Sequence, residues 1–288
     1  MRILLGFDGS PSSRAALAAV VRLPWPDGTR VRAVVALGGF DGLPASLKAS
    51  VHGALQSVAT EVEGVLRGRW PTASVRLASE APAAAILAEA KQFRADLVAV
   101  GWRGHGAIRR LLMGSVSRRI AGEAKGSVMV VRDGQGNVPG GRYVLGLDGS
   151  RNAQRALRFV ARLAVSPRGQ VLVHTALPPV YSPPLGRLTQ DMRRQALAAI
   201  RKAERDRQRR ALEHLRRAAA VLTRLGWKVV TRLTPEAPLL SLLEAARDFR
   251  ADALVLGARG ISGMERILLG SVAQGALDRA RCPVIVVR

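Results

Sequence analysis

Apolar residues fall along this chain in two alternating rhythms. Short runs rich in Val, Leu and Ile, near Ile3 to Phe7, Val31 to Leu37, Ser74 to Ala78, Leu97 to Val100 and Val128 to Val131, have the length and branched content of buried strands. Between them, Ser12 to Arg22, Ala45 to Arg69, Ala83 to Phe93 and Ser115 to Ala124 carry helical spacing, with Val116, Ile120 and Ala124 at i, i+4 and i+8. Strands alternating with helices of this length predict βαβ units, a parallel sheet and right-handed crossovers.

The whole pattern occurs twice. MRILLGFDGSPSSRAAL at the start returns as RYVLGLDGSRNAQRAL from Arg142, so that Asp148 follows Asp8 by 140 positions. Further on, EAP at Glu80 and at Glu236, and FRAD with Asp96 and Asp252, are 156 apart. The second half therefore carries 16 extra residues between its second strand and Glu236. A tandem duplication is expected, with domains at 1–132 and 142–288. DGQGNVPGG, 133–141, is the linker by composition. Nine flexible residues span only roughly 17 Å, which keeps the two domains neighbours.

The insertion falls in the second helix of the second half, approximately Arg187 to Leu225. Apolar spacing is good at Leu212, Leu215, Ala219 and Leu222 and almost absent from Arg201 to Arg210. A long solvated helix whose middle projects beyond the core is expected, with a partner-binding arm as the alternative.

Composition changes the picture in three places. The formal net charge is +24, and of the 45 basic residues 40 are arginines spread over the whole chain. That balance admits a nucleic-acid partner, but aromatic residues make up only 4% and offer few stacking platforms. Nucleic acid is accordingly not the expected partner. The apolar runs are far shorter than the roughly 20 residues that span a bilayer, and no leader pattern opens the chain, so a cytoplasmic protein without a membrane segment is expected. Cys282, the single cysteine, reads as a packing residue. His52, His174 and His214 lack ligand spacing with Cys, Asp or Glu, so no protein-built metal site is expected.

The candidate chemistry lies in GWRGHGAIRRLLMGS, Gly101 to Ser115, and GARGISGMERILLGS, Gly257 to Ser271. Both read G-x2-G-x9-G-S at a strand-to-helix crossing, where backbone amides at a helix N-terminus form a phosphate cradle. Neither copy has the lysine of a Walker loop, and the first βα turn reads DGS, not the dinucleotide fingerprint. Gly104 and Gly114 suit positive φ, and Ser115 suits a helix cap whose amide and hydroxyl face an anion. A tight connection with no ligand fits the same glycines, and a turn-stabilising role fits Asp8 and Asp148. His105, replaced by Ile261 in the second copy, reads as an ordinary loop residue.

Together with the strand ending in Asp-Gly-Ser, the R-x-L-L-x-G-S turn around Arg110 and Arg266 and the closing CPVIVVR, this motif closely resembles the nucleotide-binding signature of the universal stress protein family. The resemblance covers nearly the whole chain. It implies two tandem doubly wound five-stranded α/β domains, adenine nucleotide alpha hydrolase-like, with ATP over the carboxyl ends of the strands and Mg2+ carried on its phosphates. Position by position, it places Asp8 and Asp148 beside the adenosine, and Val35 and Thr175 against adenine. Val100, Gly101, Leu256 and Gly257 line ribose and adenine. Gly104, Gly114, Ser115, Val116, Gly260, Gly270, Ser271 and Val272 hold phosphates, and Arg103 and Arg259 occupy loop positions suited to pairing with them. It also implies that Val128 to Val131 pairs with Val284 to Val287 within one chain; a dimer of tandem chains is compatible with this. Two departures stand out: AKGS in the first half against ARCP in the second, expected to be structural, and Ala273 at the place of Ser117, expected to remove a phosphate donor. An ATP-binding regulator is the leading expectation. The alternatives are a slow ATPase, for which no paired carboxylate or base repeats beside the loops, and a scaffold or nucleic-acid binder using the basic helix.

Overall fold

The computed structural model describes residues 1–36, 44–104, 113–135, 140–179, 189–260 and 269–288. Leu37, His105, Ile261, the turns around Arg110 and Arg266, Arg187 and residues 136–139 of the linker lie outside them. The first half runs β1 (Arg2–Phe7), α1 (Pro11–Arg22), β2 (Arg30–Ala36), α2 (Ala45–Arg67), β3 (Ser74–Ala78), α3 (Pro82–Gln92), β4 (Leu97–Gly101), α4 (Ser115–Glu123) and β5 (Ser127–Val131). The second repeats it as β6 (Arg142–Gly146), α5 (Arg151–Ala161), β7 (Gln170–Ala176), α6 (Gln190–Arg224), β8 (Lys228–Thr234), α7 (Pro238–Asp248), β9 (Ala253–Gly257), α8 (Ser271–Arg279) and β10 (Val284–Val287).

All ten strands join one sheet in the order β3-β2-β1-β4-β5-β10-β9-β6-β7-β8. Each half is parallel throughout, and the halves meet where β10 runs antiparallel to β5, pairing Val284 with Val130 and Val286 with Val128. That junction removes the edge each half would otherwise present, and leaves β3 and β8 as the outer edges. Arg76 on β3 and Lys228 and Arg232 on β8 give these edges charge.

The central strands are apolar on both faces because helices cover both. Alternation along β1 sends Ile3, Leu5 and Phe7 into the core beneath α1, α2, α5 and α6, and Leu4 into the core beneath α3, α4, α7 and α8. Along β10, Ile285 and Val287 face the first core while Val284 and Val286 face the second. Both cores therefore run without a break from one half into the other. Cys282 is buried in the second, and burial pushes its thiol up to about 12, so it packs as a neutral thiol.

The FRAD aspartates tie strand starts together. Asp96 accepts a hydrogen bond from Arg2 N–H at 2.7 Å, and Asp252 accepts one from Arg142 N–H at 2.8 Å. A further carboxylate, Glu89 on α3, is almost fully buried and receives Arg32 and Arg76, the latter at 3.0 Å. Burial alone would push its carboxyl up, but the two guanidinium hydrogen bonds outweigh that and hold it below the usual range. Its stabilisation is present above the unfolded carboxylate value of about 4.3 and is lost as pH falls through the lower folded value. In urea unfolding from about pH 7 to about pH 3, Glu89→Gln is expected to be less stable at neutral pH and to lose less on acidification. Equal acid slopes in variant and parent would remove this role.

Candidate functional site

Within each half the chain leaves β1 (or β6) toward β2 and β3 (β7 and β8), then returns to β4 (β9) on the other side. The loops after β1 and β4 therefore diverge, opening a crevice at the carboxyl ends of the strands, the usual ligand position in such sheets. Asp8 follows β1 and the first motif glycine ends β4. Asp148 and Gly257 repeat the placement in the second half.

The DGS turns are built by their own side chains. Gly9 and Gly149 take φ of +76° and +84°. Ser10 N–H donates to Asp8 Oδ1 at 3.0 Å, and Ser150 N–H to Asp148 Oδ1 at 2.9 Å. The serine hydroxyls accept from Ser13 N–H and Ala153 N–H, capping α1 and α5, and donate to the carbonyls of Arg103 and Arg259. Thus one short turn fixes both a helix and the motif loop opposite it. The second oxygen of each aspartate faces that loop: a Cβ on Gly104 would stand 2.5 Å from Asp8 Oδ2, and one on Gly260 2.6 Å from Asp148 Oδ2.

Three details differ from the sequence expectation. Positive φ occurs at Gly9 and Gly149, whereas Gly104 and Gly114 are outside that region; Gly114 has φ −61° and Gly270 φ −72°. These two glycines are the N-caps of α4 and α8, so Ser115 and Ser271 are first helical residues and cap nothing. As glycines, these N-caps offer no side-chain oxygen to the first-turn amides of either helix. Lastly, the Ser117 hydroxyl is buried and donates to the Gly101 carbonyl, so its replacement by Ala273 removes a packing bond, not a phosphate donor.

In the second half a cavity of about 620 Å³ gathers every candidate: Asp148, Thr175, Leu256, Gly257, Arg259, Gly260, Gly270, Ser271 and Val272. Its floor holds His174 and Thr175 at the end of β7. His174 is 1% exposed, lies 3.1 Å through Nε2 from Ser241 Oγ, and is held at about 4 by burial, with Arg232 adding to the shift. Thr175 Oγ1 is buried and has no hydrogen-bond partner among the described residues. The cavity also takes Arg207, Arg210 and His214 from α6, where the helix pattern predicts a solvated surface. α6 is solvated over most of its 35 residues, its buried positions being Ala211, Leu215, Ala218 and Leu222. The signal lay in the repeat: at the 156-residue offset these four match Leu55, Ala59, Val62 and Leu66 of α2, all buried, and put Val51, Ala54 and Val58 opposite Arg207, Arg210 and His214.

The first half repeats the turn and loop contacts, with Ser10 Oγ on the Arg103 carbonyl and Asp8 Oδ2 facing Gly104. Gly114 N–H donates to Trp102 O at 2.9 Å, and Gly114 lies against Arg103 and Gly104. Val35 and Val100 are buried in opposite cores, and Val116 packs at the edge of the second. Arg103 differs from Arg259: its guanidinium lies 4.0 Å from the centre of the Trp102 ring, with Arg132 stacked at 3.7 Å, where the second half has Ala258. Among the described residues, no three His, Cys, Asp or Glu side chains gather as a metal site, and no helix is long and apolar enough to cross a membrane.

A doubly wound sheet with a glycine-capped helix N-terminus at its switch point, built twice in one chain, defines a tandem α/β protein. The sequence model of the universal stress protein family matches residues 1–132 and 141–288, and the chain belongs to that family. It is 31% identical over 205 residues to a universal stress protein of Mycolicibacterium smegmatis, covering 67% of this chain and 62% of that one. To the universal stress protein MJ0531 of Methanocaldococcus jannaschii it is 38% identical over 76 residues, 26% of this chain and 45% of the relative. The chain thus spans about half to three fifths of these relatives' lengths. The crystal structure of a universal stress protein from Archaeoglobus fulgidus superposes with a TM-score of 0.67 at 18% identity, covering 100% of this chain and 98% of that one, which shows a shared fold.

Proposed function

We propose that the chain is an adenine-nucleotide-binding regulator that holds ATP, with Mg2+ on its phosphates, at the motif loops of both halves. The observation that carries this reading is the second-half cavity, which surrounds the glycine-capped first turn of α8 with all nine candidate residues and has the volume of a small-ligand site. Phosphates fit the amides of Ser271, Val272 and Ala273, where the helix dipole favours negative charge, with Arg259 beside them. Asp148 suits ribose hydroxyls, and the buried Thr175 hydroxyl, without a partner among the described residues, suits a polar edge of the base. Leu256, Leu242 and Ala153 supply the apolar walls. Occupancy would bridge loops from β6 and β9, and β9 lies beside the β10 strand that joins the halves, which is how a bound nucleotide would reach the rest of the chain.

Ser115→Glu and Ser271→Glu test the reading. A carboxylate in the first turn favours the helix and repels a phosphate, so each variant is expected to fold and to lose one site. Calorimetric titration of nucleotide-stripped protein with Mg-ATP should find two sites in the parent and one in each variant. Absence of binding in the parent would end the proposal and leave the glycine loops structural.

A further inference from the structure

Arg207, Arg210 and His214 have no task in the proposed nucleotide site, yet they border the same cavity. They stand on α6, whose buried residues face one core, whereas α8 packs into the other. The two helices follow β7 and β9, with β6 between, and cover opposite faces of the sheet, so the cationic rim and the α8 first turn border the cavity from opposite sides, offset along the sheet by two strand spacings, roughly 10 Å. Besides the α8 first turn with Arg259, the cavity thus has a second, cationic wall from α6, with Asp148 the one carboxylate among its lining residues.

The rim is distinct from the ordinary surface of α6. Arg194, Arg209 and Arg217 each pair with a carboxylate on their own helix, Asp191, Asp206 and Glu213. Arg207 instead directs both terminal nitrogens at the Pro178 carbonyl, 3.3 Å away, which fixes it over the end of β7. Arg210 has no acidic partner among the described residues. In the first half the equivalent positions are Val51, Ala54 and Val58, so the second wall belongs to one site alone.

We infer that the second-half site selects adenine nucleotides carrying a second phosphate on the ribose, away from the 5′ chain. The 5′ phosphate takes the first turn of α8, and the ribose phosphate takes Arg207 and Arg210, with His214 beside them. This inference rests on the nucleotide reading above, and its test separates the two.

Binding of adenosine 3′,5′-bisphosphate and of AMP is measured by calorimetry in Ser115→Glu protein, which leaves the second site, and in the same protein carrying Arg207→Ala and Arg210→Ala. The bisphosphate is expected to bind roughly tenfold to a hundredfold more tightly than AMP, the scale of one or two charge-assisted hydrogen bonds, and the ratio should fall toward one in the arginine variant. AMP binding with no bisphosphate preference in the starting protein overturns this inference and leaves the nucleotide reading intact. A preference that survives loss of both arginines also overturns it. If AMP, ATP and the bisphosphate all fail to bind, both readings fall. Circular dichroism of the variant shows that α6 is retained.

Discussion

Gly101→Ala and Gly257→Ala are each expected to lower stability by about 3 kcal/mol or more, while Gly114→Ala and Gly270→Ala cost about 1 kcal/mol. All four glycines belong to the same motif, and a sequence pattern treats them alike. Their surroundings do not. A Cβ on Gly101 would stand 2.6 Å from the Ser12 carbonyl carbon and 2.7 Å from Ser13 N, and one on Gly257 would meet Asn152 and Ala153 at 2.7 and 2.9 Å. Those neighbours are backbone of the first turns of α1 and α5, pinned by the serine caps, so relief requires moving a helix off the sheet. A Cβ on Gly114 or Gly270 meets its nearest atoms at 3.3 and 3.4 Å, which small shifts accommodate, leaving chiefly the loss of a glycine N-cap. Urea unfolding of the four variants decides the matter. Parent-like stability in Gly101→Ala would show that β4 and α1 are not packed as described, and the first motif glycine would then need a ligand to explain it.

That contrast marks where the sequence was legible. Strand and helix positions followed from periodicity because central strands buried on both faces leave an unmistakable apolar run, and the repeat confirmed each element with a second copy. The β5–β10 pairing came from the resemblance, and the residues at 128–131 and 284–287 carry it as two short apolar runs. Within the site, the local geometry differs from what the spacing predicts. Ser117 looked like a ligand group because its hydroxyl lies two residues into α4, but only the fold shows the Gly101 carbonyl beneath it. Positive φ was expected at Gly104 and occurs at Gly9, because the Asx turn of Asp8 sets the backbone and nothing in spacing reveals it. The α6 arginines were hidden for another reason. Charge runs on helices are usually solvated, and whether two of ten arginines turn toward a cavity depends on the end of a neighbouring strand, a relation absent from linear order.

The imidazole of His174 is expected to titrate near pH 4 and to make the second half acid-sensitive well above the range where carboxylates act. It is buried at the end of β7, which disfavours the charged ring, and Arg232 adds to that effect. The sign follows from linkage. In the unfolded chain the ring takes up a proton near pH 6.5, while the folded protein resists until about 4, so between those values the unfolded state binds more protons. Stability is therefore fully present above pH 6.5 and falls as pH drops toward 4, by on the order of 3 kcal/mol in all. Glu89 acts lower, beginning near the ordinary carboxylate range, and Asp252 runs the other way: burial raises its carboxyl, so its contribution is present at low pH and lost as pH rises. The His174 limb is therefore read as the difference between the parent and a variant lacking the imidazole. Proton NMR of the His174 ring should give a midpoint near 4, and His174→Gln should flatten the stability profile between pH 6.5 and 5 whatever its absolute stability. A His174 midpoint near 6.5 would mean that water reaches the ring and that the cavity floor is more open than the structure has it. Nucleotide binding supplies the complementary check: a ligand seated on that floor changes the ring's surroundings, so the His174 resonances should shift when Mg-ATP is added at constant pH.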